Sequence, residues 1–160
     1  MLFAHESVIE MHGPRGEELP AAMLFCCNMN SVRSPMLLGL ARMLYRSSLF
    51  LDSCGVHVGT SDPMLCEVMD ELGVDLSQHR PKTFEDLEVD QFDLVVTLTP
   101  EAHHRALDLT HFASLEVEYW PTLDPTMHEG SREQRLQAYR DVRNYLLDKL
   151  RRRFPTASER

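Results

Sequence analysis

A short apolar run followed at once by a loop and a helix constrains this chain more than any other feature. Residues 21–27 form the run, and its length suits one buried β-strand. Ser34-Pro35 then opens a segment rich in leucine and methionine, and proline suits the first turn of a helix because its missing N–H is not needed there. The loop between them starts at Cys27 and ends at Arg33. A strand, loop and helix in this order direct backbone N–H groups and a helix N-terminus at one point, which favours a bound anion.

Two side chains give this loop its chemical character. A cysteine beside a helix N-terminus is favoured in its thiolate form, which is the nucleophilic form, and Cys27 holds that position. Arg33 closes the same loop, and a guanidinium makes planar, bidentate contacts with phosphate-like oxygens. A nucleophile, an anion site and a fixed cation within one short loop predict phosphoryl-transfer chemistry.

Strand and helix patterns alternate along the rest of the chain. Strands are predicted at 21–27, 49–53, 93–98 and 115–119, and helices at 35–47, 63–72, 100–109 and from the Ser131 capping box through Arg153. This alternation predicts an α/β fold, with a four-stranded, doubly wound parallel sheet of the flavodoxin-like, three-layer kind. Ligands of such sheets bind beyond the carboxyl ends of the strands, where the Cys27 loop lies.

The chain length of 160 residues suits one domain. Residues 1–20 show no sustained period and are predicted to form a flexible extension. The domain is predicted to span 21–154, and 155–160 to form a short tail.

Composition excludes several classes of function. The formal net charge of −9 argues against nucleic acid as a partner, and no apolar run approaches the ~20 residues of a membrane helix. The four cysteines show no paired CxxC spacing, so we expect no metal site and no cofactor. We expect a cytoplasmic protein, because a catalytic thiolate needs a reducing compartment. The sequence leaves the oligomeric state open.

The segment from Cys27 to Pro35 resembles the loop of the low-molecular-weight protein-tyrosine-phosphatase family, Cys-x-Gly-Asn-x-Cys-Arg-Ser-Pro. The matching residues are Cys27, Asn30, Arg33, Ser34 and Pro35. Two positions depart from the family pattern. Met29 stands where the family has glycine, and Val32 stands where it has a second cysteine, so a disulfide within the loop is impossible.

The resemblance implies roles for individual residues. Cys27 would be the nucleophile that forms a phosphocysteine, Arg33 would hold the phosphoryl oxygens, and Asp124 of the Trp120–Pro125 segment would be the general acid and then the base. Ser34 would donate its hydroxyl to the Cys27 sulfur. The remaining loop residues would bind substrate or brace the loop, with a histidine beyond them supporting Asn30: Asn28, Met29, Asn30, Ser31, Val32 and His79.

The expected function is that of a cysteine-dependent phosphomonoesterase, a protein-tyrosine phosphatase acting on a phosphotyrosine protein or a small aryl phosphate. The rim loop 55–62 has no aromatic residue, so Tyr119 or Trp120 would have to supply an aromatic wall. Two alternatives stay open. One is an arsenate reductase of the same fold, although no cysteine follows Cys66 to relay oxidation. The other is a non-catalytic module that binds phosphate or a phosphoprotein.

Overall fold

The computed structural model describes residues 20–45 and 49–156. Four strands form one sheet in the order β2-β1-β3-β4, and every neighbouring pair is parallel. Their bounds are Ala22–Cys27 for β1, Phe50–Gly55 for β2, Leu94–Thr97 for β3 and Glu116–Tyr119 for β4. The predicted doubly wound α/β sheet is confirmed, and β4 lies at an edge as its alternating pattern indicated.

Four helices cover the sheet. They are α1, Arg33–Tyr45; α2, Pro63–Asp70; α3, Pro100–Leu109; and α4, Arg132–Arg153. One hydrophobic cluster joins α1, α2 and α4 to one face of the sheet, and a second joins α3 to the other face. Strand β1 separates the two clusters, because Met23 and Phe25 belong to the first and Leu24 to the second. Both faces of β1 are therefore buried, as the continuous apolar run requires.

The helix boundaries follow the local signals with small shifts. Asp62 caps α2 by accepting a hydrogen bond from Met64 N–H at 2.9 Å, and Ser131 and Gln134 form the predicted capping box of α4. The prediction that α2 continues to residue 72 was wrong. The helix ends at Asp70, and Gly73 takes its left-handed conformation, φ +75°, in the turn that follows.

Parts of the sequence predictions lie outside the described residues. These are the predicted extension apart from Pro20, the last two residues of the first predicted helix, and 157–160 of the tail. Within the described ranges, no helix has the length and the apolar character needed to cross a membrane.

Candidate active site

The loop that follows β1 is held in place by hydrogen bonds that its carbonyl groups accept from neighbouring segments. The four carbonyls of residues 27–30 accept hydrogen bonds of 2.8–3.1 Å. The donors are the backbone N–H groups of Val56, His57 and Gly59 and the ring of His79. In a trans peptide unit the C=O and the N–H point in opposite directions. The N–H groups of residues 28–31 therefore face away from these donors, which is the arrangement of an anion-binding nest.

Asn30 braces the loop from within. Its backbone has φ +53°, a left-handed conformation that asparagine tolerates better than most residues, and it is fully buried. Its Nδ2 donates to Ser34 Oγ at 2.8 Å and to Ser53 Oγ at 2.9 Å, and its Oδ1 accepts from Lys82 N–H at 3.0 Å. One side chain thus joins the loop to the start of α1, to β2 and to the segment before β3.

Ser34 Oγ lies 3.0 Å from Cys27 Sγ. The Ser34 oxygen already accepts a hydrogen bond from Asn30, so its own hydroxyl hydrogen can be donated to the sulfur or to the Cys54 carbonyl oxygen, which lies at 3.3 Å. An ionised sulfur is the stronger acceptor of the two. The hydroxyl is therefore placed to stabilise the thiolate form of Cys27, which also stands beside the N-terminus of α1.

His79 supports the loop through a backbone atom. Its Nε2 lies 2.8 Å from the Asn30 carbonyl oxygen, so the ring nitrogen must donate. Burial lowers the pKa of His79, and the cation of Lys82 adds to this, while the hydrogen bond to Asn30 opposes it. The ring is therefore held neutral at this position near neutral pH, with its proton on Nε2.

Arg33 connects the loop to the segment after β4. Its Nη1 donates to the Thr122 carbonyl at 3.0 Å, and its Nη2 lies 3.7 Å from Asp124 Oδ2. Only 13% of the Arg33 side chain is exposed, against 33% for Asp124. The guanidinium is thus held by the Thr122 carbonyl, and the Asp124 carboxylate lies beside it in the cleft.

The carboxylate of Asp124 is oriented by Thr126. Asp124 Oδ1 accepts from the Thr126 backbone N–H at 3.0 Å and from its hydroxyl at 2.7 Å. These two hydrogen bonds occupy Oδ1, and the other carboxylate oxygen, Oδ2, faces Arg33. Proton transfer to or from a ligand would therefore involve Oδ2 of Asp124.

Cys27, Arg33 and Asp124 line one cleft of about 330 Å³, together with Met29, Ser31, Val32, Thr126 and residues 59–63. Met29 is 43% exposed, so the loop accommodates this residue at the open surface of the cleft. Gly59 leaves room for it, because a Cβ there would lie 2.9 Å from Met29 Cβ.

The cleft has no aromatic wall among the described residues that line it. The expectation that Trp120 or Tyr119 supplies one was wrong. Trp120 is only 3% exposed and packs in the core, and the Tyr119 ring stacks on His103 at 4.8 Å.

The other three cysteines do not line the cleft that holds Cys27. Cys26 and Cys54 are fully buried, with their sulfurs 3.5 Å apart, and Cys26 belongs to the cluster on the α3 face of the sheet. Burial, and then the nearby Cys54, raise the pKa of Cys26. Burial and the carboxylates of Asp70 and Asp62 raise the pKa of Cys66 in α2. Cys26 and Cys66 are therefore held as neutral thiols.

Sequence reasoning missed several contributors to this site. Ser53 and Asp62 are two of them: Ser53 accepts from Asn30, and Asp62 Oδ2 accepts from the Tyr139 hydroxyl at 2.6 Å at the edge of the cleft. Thr126 is a third, and the spacing of Asp124 to Thr126 is typical of an Asx-turn, so it could have been found. The contact of the Thr122 carbonyl with Arg33 could not be found from the sequence, because every residue has a carbonyl and no residue type indicates this role.

Fold and site together define a class: α/β proteins that present a thiol and a guanidinium in a phosphate-type loop at the carboxyl end of the first strand. A sequence model described as low molecular weight phosphotyrosine protein phosphatase matches residues 22–155. The chain belongs to this family.

Two curated relatives carry arsenate reductase names. A glutaredoxin arsenate reductase of Synechocystis sp. is 32% identical over 76 residues, covering 48% of this chain and 58% of that protein. An arsenate reductase of Staphylococcus xylosus is 31% identical over 113 residues, covering 71% of this chain and 85% of that protein. The match to the first relative thus spans little more than half of its length.

Solved structures show the same architecture. An arsenate reductase in a phosphate-binding state has TM-score 0.64 and 26% identity, covering 81% of this chain and 92% of that one. A tyrosine phosphatase of Erwinia amylovora has TM-score 0.68 and 18% identity, covering 84% and 91%. An arginine phosphatase of Geobacillus stearothermophilus has TM-score 0.67 and 22% identity, covering 83% and 90%. The last two likenesses bear on the fold alone.

Proposed function

We propose that this protein is a cysteine-dependent phosphomonoesterase that works through a phosphocysteine. The observation that carries the proposal is the shared cleft of Cys27, Arg33 and Asp124, with a hydroxyl 3.0 Å from the sulfur. A nucleophile, a cation and a proton donor are the groups that hydrolysis of a phosphate monoester requires. A non-catalytic phosphate-binding module would need the cation and the nest but not the carboxylate or the thiol.

In the first step Cys27 Sγ attacks phosphorus. The S–P bond forms while the bond from phosphorus to the leaving oxygen breaks, and Asp124 gives its proton to that oxygen. Arg33 and the N–H groups of the loop hold the equatorial oxygens, whose charge is stabilised in the transition state.

In the second step Asp124 takes a proton from water. The water oxygen attacks phosphorus, the S–P bond breaks, and inorganic phosphate leaves. The Ser34 hydroxyl stabilises the negative charge on the departing sulfur, as it stabilises the attacking thiolate in the first step. Cys27 then returns to the thiolate form without any external cofactor.

We propose a phosphotyrosine protein or an aryl phosphate as substrate, in the cytoplasm. The printed name of the Erwinia amylovora structure supports the tyrosine phosphatase proposal, although that likeness bears on fold alone. The absence of an aromatic wall from the described cleft weakens selectivity for an aryl group, so a panel of phosphotyrosine, phosphoserine and phosphoarginine peptides is the direct measurement of preference.

The test is hydrolysis of p-nitrophenyl phosphate with and without magnesium. We expect turnover without added metal, inhibition by vanadate, and complete loss in Cys27→Ser. Asp124→Asn should lower kcat by about 10²–10⁴-fold, the contribution of a general acid, while phosphate affinity stays within about twofold. Turnover that survives Cys27→Ser or requires magnesium would contradict the proposal, and an unchanged rate in Asp124→Asn would exclude Asp124 as the acid.

The second candidate function is arsenate reduction, which the names of the two curated relatives favour. Reducing arsenate to arsenite takes two electrons, which two thiols supply when they form a disulfide. Cys26 and Cys54 are close enough to form a pair, but both are fully buried, and Cys66 is held as a neutral thiol. Arsenate-dependent oxidation of added glutathione or dithiothreitol, lost in Cys27→Ser, would favour this candidate over the phosphatase.

A further inference from the structure

A second concave surface adjoins the cleft on the far side of Asp124. It is a groove of about 650 Å³ between the segment 123–128 and α4. Its lining includes Leu123, Asp124, Met127, Ala138, Asp141 and Val142. Its volume lies within the range of about 300–1,000 Å³ that ligand clefts have.

Large apolar side chains are exposed at this groove and not buried in it. Leu123 is 85% exposed and Met127 is 77% exposed, and they stand on either side of Asp124-Pro125. Ala138 and the buried Val142 form part of the α4 wall. Exposed apolar side chains next to a concave surface are suited to bury an apolar group of another molecule.

We propose that the groove binds the segment of a protein substrate that flanks its phosphorylated residue, through an apolar side chain of that segment. This proposal rests on the proposed function. Asp124 lines both the cleft and the groove, so a chain whose phosphoryl group lies in the cleft can enter the groove within a few residues. An extended segment advances about 3.3 Å per residue, and the cleft and the groove share Asp124, so residues close to the phosphorylated one are the ones that can reach the groove.

The charge of the groove defines its occupant further. Asp141 lines it, and none of the described lining residues is lysine or arginine; Asp124, which also lines it, is already paired with Arg33 at 3.7 Å. The whole chain carries a formal net charge of −9. A flanking segment with a basic residue beside its apolar one is therefore favoured, and an acidic flank is disfavoured.

The experiment measures binding to the full-length Cys27→Ser protein, which keeps the cleft but cannot turn substrate over. The probes are labelled phosphotyrosine peptides with alanine flanks, in which leucine is placed at one position at a time from three residues before to three residues after. Leucine at one or more positions should tighten binding about tenfold, the effect of burying one such side chain. Leu123→Ser and Met127→Ser should each remove most of that gain.

Phe112→Ser is the matched control. Phe112 is 88% exposed but precedes β4, at the opposite end of the strands from the Cys27 loop, so the same change there should leave the leucine gain intact. A lysine beside the leucine should bind about threefold tighter than a glutamate, and Asp141→Asn should remove that difference. In the wild-type background, Leu123→Ser and Met127→Ser should hydrolyse p-nitrophenyl phosphate normally.

The groove proposal is overturned if no position shows a leucine gain, or if the gain persists in both groove variants. It is also overturned if the chain dimerises in sedimentation experiments and Leu123→Ser abolishes the dimer, since the occupant is then a second copy. Failure of the proposed function is a separate result. It would appear as a wild-type protein that does not hydrolyse p-nitrophenyl phosphate, independently of how the peptides bind.

Discussion

Replacing Asn30 by alanine tests whether one buried amide holds the nucleophile loop in shape. The substitution removes the Nδ2 bonds to Ser34 and Ser53 and the Oδ1 bond from the Lys82 N–H. It also places an alanine at φ +53°, where its Cβ is strained. Both effects act on the conformation of the loop, while the Cys27 and Arg33 side chains are unchanged.

The magnitude follows from these contacts. Three hydrogen bonds at about 1 kcal/mol each give a loss of about 3 kcal/mol. A left-handed backbone costs a non-glycine residue about 1–2 kcal/mol, and asparagine is less penalised than alanine. We expect the free energy of unfolding of Asn30→Ala to fall by about 4 kcal/mol. Asn30→Gly should lose about 1 kcal/mol less, because glycine adopts this backbone freely, although its entropy in the unfolded chain offsets part of the relief.

The assay is urea unfolding of the three proteins, with p-nitrophenyl phosphate kinetics in parallel. Ser34 loses the donor that directs its proton to the sulfur, so kcat should fall in both variants, even where the protein is fully folded. The reasoning is refuted if Asn30→Ala is within 1 kcal/mol of wild type, or if the alanine variant is as stable as the glycine variant.

Three further predictions concern neighbouring positions. Burial lowers the pKa of His79 in the folded protein, so as pH falls below about 6.5 the unfolded chain binds the proton before the folded one does. The free energy of unfolding should therefore decline between about pH 6.5 and the lower pKa of the folded state. In urea titrations, His79→Gln should flatten this decline. A Cβ at Gly55 would lie 2.7 Å from Asn30 N and 2.9 Å from the Asn28 carbonyl, so Gly55→Ala should displace the loop and lower kcat by at least about tenfold, with circular dichroism showing an intact sheet. Iodoacetamide at neutral pH should label Cys27 before Cys66 in peptide mapping, since the raised pKa of Cys66 keeps it as a thiol; equal labelling would contradict this.

The fold was predictable because its signals are local and strong. The apolar run of β1 is buried on both faces, the helix starts carry proline or a capping residue, and the alternation of elements admits few topologies. The end of α2 was misjudged because Gly73 fits either a helix end or the turn after it.

The walls of the site were less predictable, because they depend on contacts between segments far apart in the chain. The tight packing of Gly55 and Gly59 against the Cys27 loop is a matter of distances between backbones, which no spacing in the sequence records. The burial of Trp120 depends on α4, some distance downstream in the chain. The groove behind Asp124 arises from the approach of the 123–128 segment to α4, which neither the Asx-turn of the first nor the capping box of the second indicates.

Arg33 unites the two halves of the site in a way that its position in the loop motif does not reveal. One of its nitrogens donates to the Thr122 carbonyl, and another faces Asp124 across 3.7 Å. The guanidinium has five N–H donors, so it can keep the Thr122 bond and still give two parallel bonds to a phosphoryl group. An ammonium in its place would have a point charge and a flexible stem, and could not hold the Asp124 segment and the phosphoryl group in one fixed geometry. Because the chain as a whole is acidic, with a formal net charge of −9, this one fixed cation and the loop N–H groups must supply the attraction for an anionic substrate. We therefore expect this side chain both to contribute most of the affinity for phosphate and to hold the Asp124 segment in place beside the Cys27 loop.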